Sequence, residues 1–343
     1  MIKILLGGSP CTFWSIIQKN RETEPSGLGW ELFKNFLIAK EKFKPDIFLY
    51  ENNKSAAEPI KQQIRKELGV GNGAIYSEFN SALVSAQNRR RFYVHNCGEV
   101  APLQDKGVRI DDIIEPFDEH QGESLNIGGC KTIQKALPKL VKKLGYVPQH
   151  FNAYNLAELK DKAPTLSTGS MATSSCAVNR FERVSEDSTL APLFCVRGGE
   201  LVIGGIKYPA KFPDGTYIIR KFNVAECERL QTLPVGYCRS VSAAQGYKAI
   251  GDGWTADIVI HILGGALKDI PKDEPIVVLS MYDGIATGRY CLEKMGFTNI
   301  TYFSYEIDDY KKDIAMSNYP NILQCGDAFQ LRTNTAKRSR RKV

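Results

Sequence analysis

The sequence predicts an α/β protein: a mixed sheet flanked by helices, with a smaller, irregular β-rich domain set into it. Three observations predict this. Residues 1–99 alternate short apolar runs with amphipathic stretches, residues 100–222 change to Gly-rich, weakly periodic sequence, and strand–helix alternation returns after a Pro-bounded linker at Pro271–Pro275. In order, Ile2–Leu6 reads as a strand, Trp30–Phe43 as a helix, Ile47–Tyr50 as a strand and Ala56–Leu68 as a helix. Gly128-Gly129, Ser167–Ser170, Gly198-Gly199, Gly204-Gly205 and Asp214-Gly215 punctuate the middle region, which predicts short strands and turns. Helical patterns follow at Val224–Leu230 and Thr255–Leu263.

Composition narrows the function classes. At 343 residues the chain accommodates two unequal bodies, since single cores seldom exceed roughly 250–300 residues. Apolar residues make up 43% and no window reaches the ~20 apolar residues of a membrane span, so the expectation is no membrane and a cytoplasmic setting, bacterial or phage-encoded. Met1–Leu6 reads as a strand, without the basic leader of a signal peptide. The nine cysteines, Cys11, Cys97, Cys130, Cys176, Cys195, Cys227, Cys238, Cys291 and Cys325, include no Cys-x-x-Cys pair, which argues against a zinc knuckle or disulfide framework. His95, His120, His150 and His261 are too dispersed to suggest a ligand set and read as structural, so no metal is expected. A net charge of +7 suits a polyanionic partner without demanding one.

Four segments carry chemistry. Gly7-Gly8-Ser9-Pro10-Cys11 breaks a strand into a tight turn that presents a thiol, with a buried structural cysteine as the competing reading. Glu51 ends the next apolar run, and neighbouring strands of an open α/β sheet share one crevice at their carboxyl ends. In Gln87–Val94, alternation sends Arg89 and Arg91 to one side and Arg90 to the other; a solvated basic edge is the competing explanation. Val277–Met281 leads into Tyr282-Asp283-Gly284-Ile285-Ala286-Thr287-Gly288, an apolar strand, a Gly-bracketed turn and a helix start of the kind that offers backbone N–H groups to a cofactor. About 20 residues on, Glu306 ends a strand, placed to hold ribose hydroxyls. Asp327, one strand later, suits an adenine amino group.

Taken together, Pro10-Cys11, Glu51-Asn52, Gln87-x-Arg89-x-Arg91 and the run Ala225-Glu226-x-Glu228-Arg229-Leu230-Gln231-Thr232-x-Pro234 resemble the ordered motifs of the cytosine-C5 DNA methyltransferase family. Asp283–Gly288, Val84-Ser85-Ala86 and Gly251-x-x-Trp254 are most similar to its de novo branch. The order is circularly permuted relative to the common arrangement, because Pro10-Cys11 opens the chain and the cofactor segment closes it. The resemblance implies a Rossmann-like class I methyltransferase sheet, S-adenosylmethionine as cofactor and double-stranded DNA as partner. It implies Cys11 as nucleophile, Glu51 at the base, Arg91 on the cytosine O2, and Arg89 bracing the Cys11 turn or a phosphate. It places Pro10, Tyr282, Asp283, Gly284, Ala286, Thr287, Gly288, Trp254, Glu306, Ile307 and Asp327 around the cofactor.

The implied domains are 1–99 (nucleophile half), 100–222 (target recognition, where Ala163-Pro164-Thr165-Leu166 resembles a family segment), 223–332 (cofactor half) and 333–343 (basic tail). Residues 12–26 resemble the family's mobile loop, with an ordinary surface loop as the alternative. Thr12, Asn53 and Asp252 depart from the pattern; an inward Asp252 would repel the cofactor carboxylate. An RNA cytosine methyltransferase, a catalytically silent DNA-binding subunit and transfer of a bulkier group remain competing readings.

Overall fold

The structure, a computed structural model, describes residues 1–16, 18–118, 122, 124–166 and 177–333. The expected turn at Ser167–Ser170, His120, Cys176 and the basic tail from residue 334 lie outside the described residues.

The first hundred residues form β1 (Ile2–Gly7), α1 (Gly27–Phe43), β2 (Ile47–Asn53), α2 (Glu58–Leu68), β3 (Ile75–Asn80) and β4 (Arg90–His95). The middle gives α3 (Lys131–Leu144), β5 (His150–Asn152), β6 (Ala157–Glu158), β7 (Asn179–Val184), β8 (Phe194–Arg197), β9 (Glu200–Ile203), β10 (Ile206–Pro209), β11 (Gly215–Lys221), α4 (Val224–Leu230) and α5 (Ala243–Asp252). The last stretch gives α6 (Ala256–Leu267), β12 (Ile276–Met281), α7 (Thr287–Lys294), β13 (Ile300–Tyr305), α8 (Asp309–Asn318), β14 (Leu323–Gln324) and the one-turn α9 (Gln330–Thr333). The patterns explain the elements locally. In α2, for example, Ile60, Ile64 and Leu68 recur every fourth residue and are buried, and Gly69 at φ 81° ends the helix in the left-handed conformation.

These elements form two compact units. The first, Met1–Ser81, Arg90–Gln104 and Gly253–Val343, holds a seven-stranded sheet in the order β14-β13-β12-β1-β2-β4-β3. Neighbours are parallel except β4, which is antiparallel to both β2 and β3. Counted from β12 to the C-terminus and then on from β1, the order is 3-2-1-4-5-7-6. Its first five strands reproduce the doubly wound pattern, whose direction of winding reverses here between β12 and β1. The pairing is in register from Ile2↔Ile276 to Gly7↔Met281, so the two strands end level with each other. The core of this unit packs Leu5, Phe33, Phe36, Tyr50, Phe92 and Met281 between sheet and helices. No helix among the described residues is long and apolar enough to cross a membrane.

The second unit, Ala82–Arg89 and Asp105–Asp252, is built on an antiparallel sheet in the order β10-β9-β8-β11-β7-β5-β6. Helix α3 lays Ile133, Leu137, Leu140 and Val141 on its core beside Phe151, Phe181 and Ile219. The sequence places a boundary after residue 222, but the compact units divide at 252/253 instead. The reason is electrostatic and local. Glu226, the third residue of α4, closes a capping box with Asn223 and takes both Nη atoms of the buried Arg220 on β11, at 2.9 and 2.8 Å. Arg220 also reaches Glu182 at 2.8 Å. A buried carboxylate left without its guanidinium is strongly unfavourable, so α4 stays with the sheet that carries Arg220.

Two buried histidines make stability pH-dependent. His95 accepts from the Cys97 N–H through Nδ1 and faces Ser77 Oγ through Nε2, and burial pushes its pKa down to about 4. His150 is pushed down to about 3 by burial and by Arg180 and Arg220. Both are neutral when folded, whereas an unfolded histidine titrates near about 6.5. Acidification from about pH 7.5 to about pH 5 therefore protonates only the unfolded chain, and stability present above the unfolded pKa is lost, roughly 1–2 kcal/mol per histidine. Urea midpoints at the two pH values check this: His95→Gln is expected to shrink the difference by one histidine's share, and an undiminished difference contradicts the assignment.

Candidate active site

Strand β1 ends on two glycines because nothing larger fits. A Cβ on Gly7 would lie 2.8 Å from the Phe36 ring, and one on Gly8 would lie 2.8 Å from the Glu51 carbonyl oxygen and 3.0 Å from its Oε2. The chain then turns through Ser9 and Pro10 into a single 3-10 turn, Cys11–Phe13, where Cys11 is a half-buried thiol outside any disulfide. The turn is braced from β2. Asn52 Nδ2 donates to the Ser9 carbonyl at 2.9 Å and to the Tyr50 hydroxyl at 3.1 Å, while Ser9 Oγ and that hydroxyl lie 2.7 Å apart. All three side chains are buried, and burial pushes the Tyr50 phenol well up. Ser9 and Tyr50 escape sequence reasoning, since neither residue type signals a brace until the fold stacks β2 beside the turn.

The loop after Cys11 packs into the core of the first unit. Trp14 is fully buried and its indole donates to Glu22 at 3.0 Å, and Glu22 also accepts the Gly29 N–H at 3.1 Å. Arg21 donates to the Ser55 carbonyl at 2.8 Å. The segment expected to be a mobile loop is thus pinned at both ends in this structure.

Glu51 occupies the carboxyl end of β2 and is clamped by two donors: Arg91 Nε at 2.9 Å from Oε1 and the Trp254 indole at 3.2 Å from Oε2. The β2–β4 register pairs Arg91 with Asn53, so Arg91 meets Glu51 as a diagonal neighbour on the same face. Trp254, expected at the cofactor, has its indole N–H on Glu51. Burial alternates as expected along the arginine run, with Arg89 and Arg91 buried and Arg90 exposed. Arg89 belongs to the second unit, where it donates to the carbonyls of Leu166 and Gly251 at 3.2 and 3.3 Å. That arrangement holds backbone in place. Within the same unit, Ser85 Oγ and Gln87 Nε2 both donate to the Leu230 carbonyl, and Gln87 Oε1 accepts from the Leu166 N–H. Four of the quoted segments, Val84–Ala86, Gln87–Arg91, Ala225–Pro234 and Ala163–Leu166, therefore knit together as scaffold. Glu228 likewise caps the backbone N–H groups of Gly236 and Cys238, and Asp252 is exposed.

Beyond β12 the chain makes a compact turn with Tyr282, Gly284 and Ala286 at φ 58°, 65° and 60°. Several residues expected at the cofactor also shape this turn. The Asp283 carboxylate is turned inward, its Oδ1 accepting from Ser280 and Tyr302 at 2.6 Å each, and burial raises its pKa. Ala286 and Thr287 are buried. A Cβ on Gly288 would lie 2.6 Å from Leu6 Cδ1, so this glycine lets α7 pack onto β1. The Tyr282 hydroxyl is bound into α1, accepting from Asn35 at 3.0 Å and donating to the Leu32 carbonyl at 2.8 Å.

Three residues remain available at the strand ends. Glu306, level with Tyr282 in the β12–β13 register, accepts the N–H groups of Gly284 through Oε2 and of Ile307 and Asp308 through Oε1. A carboxylate accepts about four hydrogen bonds, so Oε2 keeps one site for a hydroxyl. Burial raises the Glu306 pKa, while Lys311 and those N–H groups oppose the rise. Ile307 is 67% exposed, an apolar side chain ready for a flat partner. Asp327 is exposed beyond β14, with Oδ1 taken by the Phe329 N–H.

Residues 1–267 match the C-5 cytosine-specific DNA methylases, and the chain belongs to this family. No curated protein matches it. Among solved structures, it is similar to the Entamoeba histolytica methyltransferase EhMeth, at 11% identity over 78% of each chain and a TM-score of 0.44. It is also similar to the S. pombe Dnmt2 methyltransferase, at 15% identity over 76% of this chain and 77% of that one, with a TM-score of 0.43. A DNMT2 mutant from Spodoptera frugiperda is similar at 13% identity over 76% and 78%, with a TM-score of 0.43. The family match stops before β12, so the cofactor side rests on sheet geometry.

The close approach of Gly8 to Glu51 is directly testable. Gly8→Ala is expected to lower unfolding free energy by ~1–3 kcal/mol through overpacking. Gly264→Ala, where nothing lies within 4 Å inside α6, is expected to be neutral or stabilising. Equal urea midpoints for Gly8→Ala and the parent chain contradict the packing described.

Proposed function

We propose that the chain transfers a methyl group from S-adenosylmethionine to C5 of a cytosine flipped out of duplex DNA, through a transient bond between Cys11 Sγ and C6 of the base. The observation that supports this most is the level, parallel pairing of β1 with β12 at the reversal of strand order. Ligands of doubly wound sheets bind at that reversal, outside the carboxyl ends of the strands. The Cys11 turn and the Gly284 turn leave the sheet there, side by side, despite some 270 residues between them in sequence. The same pairing supports a circularly permuted chain, in which 264–275 joins what are elsewhere two ends.

Family membership supplies the acceptor atom, C5 of cytosine, which is a weak nucleophile. Attack of the Cys11 thiolate on C6 forms an S–C6 bond and moves the ring π pair onto C5. Glu51, held by Arg91 and Trp254, receives the N3 edge of the base; a proton on its carboxyl is donated to N3 as charge develops. Arg91 keeps Nη2 for the base O2, since Nε faces Glu51 and Nη1 donates to the Arg90 carbonyl. After C5 has taken the methyl, solvent water takes the C5 proton, N3 returns its proton to Glu51, the double bond re-forms and the Cys11 thiolate leaves. The Ser9–Tyr50–Asn52 brace fixes where the sulfur attacks.

The residues at the ends of β13 and β14 fit a nucleoside cofactor. Ile307 would pack on the adenine, Glu306 Oε2 would accept from a ribose hydroxyl and Asp327 Oδ2 would accept from the adenine amino group. When bound, S-adenosylmethionine supplies an electrophilic methyl on a sulfonium. Flipping the base costs about a few kcal/mol, drawn from phosphate and pocket contacts. Residues 100–222 are read as the element that recognises the target sequence, through side chains reaching base edges.

Trapping tests the proposal. With S-adenosylmethionine present, the parent chain is expected to form a denaturation-resistant adduct with duplex DNA containing 5-fluorocytosine, and none with matched RNA. Cys11→Ser is expected to form no adduct and turn over nothing, while binding cofactor within about threefold, because the thiol lies on the base side. Methylation by the Ser variant overturns the mechanism, and an adduct with RNA alone moves the substrate to RNA.

A further inference from the structure

Two segments that the sequence places around the cofactor, the Asp327 loop and the Tyr282 turn, are tied to one helix by one side chain. Arg332, in α9, donates Nε to Asn35 Oδ1 at 2.6 Å, Nη1 to Glu31 Oε2 at 2.8 Å and Nη2 to the Glu31 carbonyl at 2.8 Å, all on α1. Asn35 is fully buried, and its Nδ2 is the donor to the Tyr282 hydroxyl in the turn after β12. In the other direction, α9 grows directly out of the Asp327 turn: the Asp327 carbonyl accepts from the Gln330 N–H at 3.0 Å, and the Phe329 carbonyl accepts from the Arg332 N–H at 3.0 Å. The Arg332 guanidinium also lies over the Phe329 ring, 4.9 Å from its centroid.

This tie answers a mechanical weakness. Asp327 follows β14, an edge strand of two residues, Leu323 and Gln324, paired only with Phe303 and Ser304. So short a strand holds the loop beyond it weakly. Tyr282 for its part occupies a left-handed backbone conformation that a bulky residue adopts only when its surroundings hold it there. A planar guanidinium that spans Glu31 and Asn35 while belonging to the Asp327 loop fixes both segments at once.

We propose that Arg332 is a positioning residue for the adenine end of the cofactor site: by bridging the Asp327 loop and, through Asn35, the Tyr282 turn onto α1, it preforms the nucleoside pocket. The inference rests on the cofactor reading above. Its consequence is for affinity rather than chemistry, because Arg332 lies on the nucleoside side and contacts neither Cys11 nor Glu51 in any bond described. Ordering a few loop side chains on binding instead of beforehand weakens affinity by about tenfold.

Calorimetry with S-adenosylhomocysteine on the full chain, together with steady-state kinetics, tests this. Arg332→Leu is expected to weaken binding about tenfold and raise KM for S-adenosylmethionine to match, with kcat within about twofold. Arg332→Lys, which cannot span both partners, is expected to fall between. Removing the adenine amino group from the ligand is expected to cost the parent chain affinity and the Leu variant little more, since contacts acting as one unit are not additive. Should Arg332→Leu not fold, Glu31→Gln, which weakens the tie and leaves the guanidinium, is expected to weaken binding about threefold. Binding within twofold of the parent in the folded variant, or a loss fully additive with removal of the amino group, overturns the inference. Glu306→Ala separates the two claims: if it loses binding while Arg332→Leu keeps it, the positioning role alone fails, and if neither loses binding, the cofactor reading fails first.

Discussion

The parallel pairing of β1 with β12 is the constraint on which the rest of the first unit depends. Six residue pairs in register, from Ile2↔Ile276 to Gly7↔Met281, bring the opening and closing segments of the chain to the same level of one sheet. Several features of the candidate site follow from that level and from the strands beside it. Gly7 and Gly8 are small because Met281, Phe36 and Glu51 crowd the end of β1, and Gly288 is small because α7 must lie on Leu6. The start of β1 is held as firmly: the Ile2 N–H donates to the Pro275 carbonyl at 2.8 Å, and the terminal ammonium pairs with Glu274.

How legible this was in the sequence depended on whether a residue's role was written in its own type or in its neighbours. Cys11 after a strand-ending turn, Glu51 at the end of the next strand, and Glu306 and Asp327 at the ends of two more were legible, because strand ends in an α/β sheet share an edge. So was the alternation of Arg89, Arg90 and Arg91. The side-chain directions within Tyr282–Gly288 were not legible. A Gly-bracketed turn predicts backbone exposed to a ligand, but only the packed sheet shows Asp283 turned in toward Ser280 and Tyr302 and Tyr282 bound into α1. The division of the compact units at 252/253, rather than after residue 222, was not legible for a similar reason. Whether α4 stays with the strand before it or joins the cofactor half after it turns on Arg220 and Glu226, an ion pair that no periodicity reveals. Trp14 shows the same limit: its residue type alone does not reveal that it is fully buried in the core.

The site also separates two duties that the motifs blur together. Glu51 and Arg91 pair in the first unit, which also carries the Cys11 turn. Arg89, Gln87, Glu228 and Gln231 are committed to backbone groups of the second unit, so they act by holding segments rather than by touching a reactant. Motif residues therefore include scaffold as well as chemistry. Substitution of the scaffold residues is a question of stability before it is one of rate, because each leaves a buried backbone partner unpaired.

The central claim is that one crevice, at the ends of β12 and β1, holds both cofactor and target base. The most direct measurement is a crystal structure of the full chain with S-adenosylhomocysteine and duplex DNA trapped through 5-fluorocytosine. The expected result is an adenine against Ile307, a ribose hydroxyl on Glu306, and the cofactor sulfur directed at C5 of a base bonded to Cys11. Cofactor density away from the ends of β12 and β13, or a trapped base bonded to a residue other than Cys11, contradicts the account.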